Sequence, residues 1–167
     1  MIKVPIVSSL LIVLLVAAGV QATPKQTPRD LFGLRLGMSE ESVHKRLRKI
    51  ATQQKEEKES EEGGEQEVWV LKKDSRFNYL LTRFTGDHRL IFVTAVAHPN
   101  RIRYGDLANV NEATKATDGI NYSYKWTVQP NNKQPGYLLI ARGSNAEFLT
   151  SYSLYRTRET PSNSSRP

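Results

Sequence analysis

The sequence predicts an α+β fold, with helices packed on one face of an antiparallel sheet. Three observations carry this expectation. The stretch Leu34-Arg-Leu-Gly-Met-Ser-Glu-Glu-Ser-Val-His-Lys-Arg-Leu47 has dense helix-start signals, with Val43, Leu47 and Ile50 at i, i+4, i+7 on one face. Six segments have strand composition, three after each of two helical stretches. The chain has no cysteine, so a disulfide-stapled scaffold is excluded and stability must come from packing. The order helix–strand–strand–strand therefore occurs twice. It reads either as two tandem halves, residues 30–100 and 101–156, or as one sheet built without duplication. Tyr79-Leu80-Leu81 and Tyr137-Leu138-Leu139 fall at matching strands of the two halves.

At the N-terminus, Met-Ile-Lys is followed by an apolar run from Val4 to Val20, with small or apolar residues at Val20 and Ala22. This pattern is that of a secretory signal peptide over residues 1–22, and it places the protein outside the cytoplasm. An uncleaved N-terminal anchor is the other reading; no cysteine is available for a lipid anchor. Residues 23–29 hold two prolines and read as a linker.

The helical stretch that follows has Gly37 for a tight turn and Ser39 at the N-cap. Met38 and Val43 have hydrophobic-staple spacing, and Leu47 continues the core stripe. Glu40 and Glu41 lie in the first turn, with Arg48 and Lys49 in the last, as the helix dipole favours. Helical character fades after Ala51, and Thr52 to Glu67 reads as a mobile acidic loop with a Gly63-Gly64 hinge. That loop holds Glu56, Glu57, Glu59, Glu61, Glu62, Glu65 and Glu67 out of 17 acids in the chain. The net charge is +7, or +6 without Lys3, so the remainder is markedly basic. Its anionic partners outside the cytoplasm would be lipid, polysaccharide or acidic protein; nucleic acid is excluded by location.

Strands are expected at Glu67 to Lys72, Tyr79 to Phe84 and Leu90 to Ala97. The third is the most apolar and should be central. Thr85-Gly86-Asp87-His88 between the last two is hairpin chemistry. A second helix is expected from Asp106 to Ala116, stopped at Gly119. Further strands are expected at Asn121 to Val128, Tyr137 to Arg142 and Phe148 to Tyr155. Residues 157–167 are polar with two prolines and read as a disordered tail.

The ordered series Gly37, Met38, Ser39, Val43, Leu47, then Trp69, then Leu81, Arg83, Phe84, Gly86 and Leu90 to Val96 resembles the BamE/SmpA-like (OmlA-type) envelope domain. The resemblance covers residues 34–97. The doubled arrangement is similar to the tandem-repeat β-lactamase inhibitory protein fold. The resemblance implies a binding or scaffold module of the bacterial envelope, without enzymatic activity. The chain departs from the BamE pattern in lacking a lipidation cysteine and in carrying the long loop after the first helix.

No catalytic constellation stands out. The three histidines, His44, His88 and His98, show no His-x-Glu or His-x3-His spacing, so neither a metal site nor a cofactor is expected. No serine lies in a Gly-x-Ser-x-Gly context. The glutamates of the acidic loop lack the rigid separation that glycoside hydrolysis needs.

Two surfaces remain as candidate binding sites. Tyr122, Tyr124 and Trp126 alternate along one strand, as either an aromatic platform or, in the favoured reading, a core-facing stripe. If they are core, the opposite face holds Ser123, Lys125 and Thr127 with Arg83 and Arg142, a basic surface suited to an acidic partner. An envelope protein is the leading partner, anionic lipid or polysaccharide the second, and an enzyme of unknown class the third reading. Oligomeric state is not encoded in any recognisable pattern.

Overall fold

A computed structural model describes residues 26–57, 66–74, 76–130 and 135–157. The expected signal peptide, part of the linker, most of the acidic loop and the tail beyond 157 lie outside the described residues.

The chain forms α1 (Glu40–Ile50), β1 (Ala51–Glu57), β2 (Gln66–Leu71), β3 (Phe77–Phe84) and β4 (Leu90–Ala97). It continues with α2 (Tyr104–Leu107), a 3-10 turn (Val110–Glu112), β5 (Thr114–Thr117), β6 (Tyr122–Val128), β7 (Tyr137–Gly143) and β8 (Ser151–Arg156). All eight strands join one antiparallel sheet in the order β1-β2-β3-β4-β8-β7-β6-β5. Two four-stranded meanders thus meet along β4 and β8, with β1 and β5 at the outer edges.

This corrects the expected fold class. The fold is β-rich, not an α+β layer of helices on a sheet. Two strands were not anticipated. Residues 51–57, assigned to the end of the helix and the acidic loop, pair with β2 as β1. Thr114–Thr117, all but its last residue assigned to the second helix, pairs with β6 as β5. Both are edge strands, and their polar sequences carry no alternation because one ladder suffices to hold them.

The second helix is also corrected. Only one turn forms at α2, and the chain then breaks. The indole Nε1 of Trp126 donates to the Asn109 carbonyl oxygen at 2.8 Å, an acceptor that a continuing helix would need. The Asn109 side chain accepts from the Asn111 amide at 3.2 Å, a local bond that competes with helix propagation.

α1 begins and ends close to expectation. Ser39 holds the N-cap position, with its carbonyl accepting from the Val43 amide at 3.0 Å. Its hydroxyl does not cap the helix and donates to Ser42 Oγ at 2.8 Å. The Glu40 amide is satisfied by the His88 carbonyl of the β3–β4 turn, 3.0 Å away. Gly37 has φ +87°, and its amide donates to the Leu90 carbonyl at 2.7 Å. A side chain at that φ would be strained, so the turn that seats α1 on the start of β4 calls for glycine. Val43 and Leu47 are fully buried and Met38 packs against the core.

One sheet face is covered. Trp69, Leu80, Val93, Leu139 and Leu154 form its floor. Over it lie α1, with His44 against Trp69 and Phe84, and segment 26–38, with Phe32 edge-on to Phe77. α2 covers the second half through Tyr104, whose ring lies 4.4 Å from that of Tyr124.

The repeated Tyr-Leu-Leu triplet is out of structural step. Tyr79 is 39% exposed whereas Tyr137 is 4% exposed. Leu80 of the first triplet and Leu139 of the second are the fully buried residues. A one-residue offset in a strand exchanges the two faces, so the triplets present opposite sides.

Candidate binding face

Residues directly opposite one another on neighbouring strands share a face. The ladder registers therefore assign the uncovered side without ambiguity. One cross-strand row runs Val68, Leu81, Thr94, Ser153, Ile140, Lys125. A second runs Gln66, Arg83, Phe92, Tyr155, Leu138, Thr127. A third runs Val70, Tyr79, Val96, Ser151, Arg142, Ser123. Among the described residues, the helices and segment 26–38 all contact the other side. From β2 to β6 each row carries one of Lys125, Arg83 and Arg142 and no carboxylate; the edge strand β1 extends the first row to Lys55 and the second to Glu57.

The centre of this face is apolar and aromatic. The rings of Phe92 and Tyr155 stand 4.7 Å apart across β4 and β8. The Arg83 guanidinium lies over Phe92 at 5.5 Å and donates to the Gln66 side-chain oxygen at 3.3 Å. Beneath the level of these side chains, Thr94 and Ser153 are buried and share a 2.6 Å hydroxyl–hydroxyl hydrogen bond at the seam of the two meanders. Lys125 and Arg142 are exposed on the β6 and β7 side. Three cations thus flank an apolar middle, the arrangement of a desolvated centre with a polar rim.

The aromatic trio lies on the covered side. Trp126 is buried, and Tyr122 and Tyr124 are half-buried against the core. Tyr124 and Trp126 stack at 6.2 Å, and the Lys115 ammonium lies 5.7 Å from the Tyr122 and Tyr124 ring centres. These residues build the core of the second half and do not join Arg83, Lys125 and Arg142. The motif residues Gly37, Met38, Ser39, Val43 and Leu47 seat α1 on that same covered side.

Two features were missed from sequence. The apolar centre at Phe92, Tyr155, Leu138 and Ile140 was hidden because a continuous apolar run such as Leu90–Ala97 reads as buried on both faces. Glu67 was counted both as the end of the acidic loop and as the first residue of a strand, with no inward role, yet it is 3% exposed and faces the helix residue His44. Its position after a glutamate-rich stretch gave no signal of this; its place one residue before a Val-Trp-Val strand did. The chain matches no protein-family model, no curated protein and no solved structure.

Proposed function

We propose that this protein is an exported, non-enzymatic binding module that grips an acidic surface of an envelope protein with its uncovered sheet face. The observation that carries the reading is the charge pattern of the six strands inside β1 and β5: three cations, no carboxylate, and an aromatic centre at Phe92 and Tyr155. Six strands about 4.8 Å apart, read over three rows, offer roughly 600 Å². A standard-size interface buries about 800 Å² per partner, so the contact would extend onto rim loops or an edge strand. Export rests on residues 1–22, and the envelope setting on the resemblance of residues 34–97 to the BamE-like domain. No helix among the described residues is long and apolar enough to cross a membrane.

The test is affinity capture from envelope extract with immobilised wild-type chain and a Lys125→Glu/Arg142→Glu variant. Both positions are exposed, so the fold should survive. The expected result is one retained protein, released by salt and lost on charge reversal, while Arg35→Glu on the covered side retains it. Retention unaffected by the double reversal, or binding to anionic vesicles in place of protein, would overturn the proposal.

A further inference from the structure

Three elements converge on one carboxyl group on the covered side. Glu67 of β2 turns Oε2 toward the Trp69 indole N–H at 2.9 Å and the Thr82 hydroxyl at 3.1 Å. Its Oε1 lies 2.7 Å from His44 Nε2 of α1. Glu40, one helical turn before His44, places Oε1 3.8 Å from the same nitrogen. The other oxygen of Glu40 is 2.6 Å from Nδ1 of His88 in the β3–β4 turn. One donor atom each from Glu40, His44 and Glu67 lies within 4.8 Å of the other two.

We propose that Glu40, His44 and Glu67 bind a divalent transition-metal ion of the zinc or cobalt type, with solvent as the fourth ligand and His88 holding the far oxygen of Glu40 from outside. Imidazole and carboxylate donors suit these ions, which take four ligands in a tetrahedron. Metal–donor bonds of about 2.1 Å set tetrahedral donors roughly 3.4 Å apart. The His44–Glu67 pair must therefore open by about 0.7 Å and the Glu40–His44 pair close by about 0.4 Å, small side-chain adjustments. The two carboxylates would balance the charge of the ion.

The surroundings are those of a supported site. Trp69 and Thr82 hold the far oxygen of Glu67, the kind of outer contact that orients a ligating carboxylate. The His44 ring is walled by Trp69 at 5.4 Å and Phe84 at 5.8 Å. On the outer side a cleft of about 870 Å³, lined by Ser39, Glu40, His44, Lys45, Arg48 and His88, opens the cluster to solvent. An ion there would tie the start of α1 to β2 and to the β3–β4 turn.

The purified full-length chain, stripped of metal, is titrated with Co²⁺ and its visible spectrum recorded. The expected result is a one-to-one rise of the intense absorption of four-coordinate cobalt, erased by equimolar Zn²⁺, with a raised Tm in Zn²⁺. His44→Ala should abolish the signal. His88 is 76% exposed, so His88→Ala should still fold, with the metal-free Tm lowered by no more than a few degrees for the lost Glu40 contact, while weakening binding at least about tenfold. Glu40→Gln should weaken it likewise and keeps the test open should His44→Ala fail to fold. His98→Ala should bind as wild type. A spectrum that stays that of the hydrated ion, or His88→Ala and Glu40→Gln variants that bind as tightly as wild type, would overturn the proposal.

Discussion

Gly143→Ala should be far more destabilising than a glycine-to-alanine change has any general reason to be. Gly143 ends β7 opposite Tyr122, beneath the Tyr104 ring of α2. A Cβ there would fall inside van der Waals contact of the Phe148 carbonyl oxygen and the Tyr104 hydroxyl, and 3.1 Å from Leu149 Cα. Two of these three atoms are backbone, and that backbone is pinned. The Leu149 amide donates to the Ile102 carbonyl at 3.0 Å and the Thr150 amide to the Arg142 carbonyl at 2.7 Å. Leu149 itself is fully buried. Relief therefore requires moving either the β7–β8 connection or α2. Overpacking of this kind costs about 1–3 kcal/mol, and more where backbone must give. The Tyr104 hydroxyl contacts at risk are long, 3.4 and 3.5 Å, and add little. A loss of about 2–4 kcal/mol corresponds to a Tm lowered by roughly 5–15 °C.

The matched control is Gly105→Ala in α2, where a Cβ meets nothing within 4 Å. It should stabilise by about 0.4–1 kcal/mol by restricting the unfolded chain. Thermal and urea melts of both variants read the difference directly. A Gly143→Ala protein melting within about 2 °C of wild type would refute the close seat of α2 on β7.

Four further outcomes follow from the packing. Trp126→Phe keeps most of the buried ring but strands the Asn109 carbonyl, and should cost about 1–3 kcal/mol in urea denaturation. Thr94→Val and Ser153→Ala should each cost about 1–2 kcal/mol, and the double variant little more than either, because both hydroxyls then leave together; strict additivity in the cycle would contradict the shared bond. Burial raises the phenol pKa of Tyr152 and of Tyr137, and burial with the nearby Tyr124 and Tyr122 pushes Tyr104 up to about 12. The unfolded chain releases these protons from about pH 10 while the folded chain keeps them, so stability should be intact below that point and fall as pH rises toward 12 and beyond. Tyr152→Phe should flatten that alkaline decline; a slope identical to wild type would show that Tyr152 does not contribute.

Part of the candidate face was legible in advance. The alternation of Tyr122, Tyr124 and Trp126 against Ser123, Lys125 and Thr127 separates the two sides of one strand, because side chains point to opposite faces with period two. Arg83 and Arg142 could be joined to Lys125 on that pattern. What alternation inside one strand does not reveal is which residues of other strands stand opposite. Phe92 and Tyr155 are 63 positions apart in number, and only the β4–β8 register sets their rings together. The Glu67 cluster was illegible for the same reason, since His44, Glu67 and His88 come from a helix, a strand and a turn.

The sequence by itself determined the elements whose signals are local. These are α1, with its glycine turn, its dipole-matched charges and its buried Val43 and Leu47, and six strands whose apolar patterning is dense enough to mark them. It also determined that packing, not disulfides, stabilises the protein. The tertiary structure decided what depends on neighbours. It made strands of Ala51–Glu57 and Thr114–Thr117, polar segments that become β only because β2 and β6 offer them a free ladder. It ended the second helix where Trp126 captures the Asn109 carbonyl. It joined the meanders at β4 and β8, turning an expected α+β layer into an eight-stranded sheet with one face left uncovered by the described residues. Backbone hydrogen bonds between strands carry no side-chain code, so the edges and the seam were written in no single stretch of the chain.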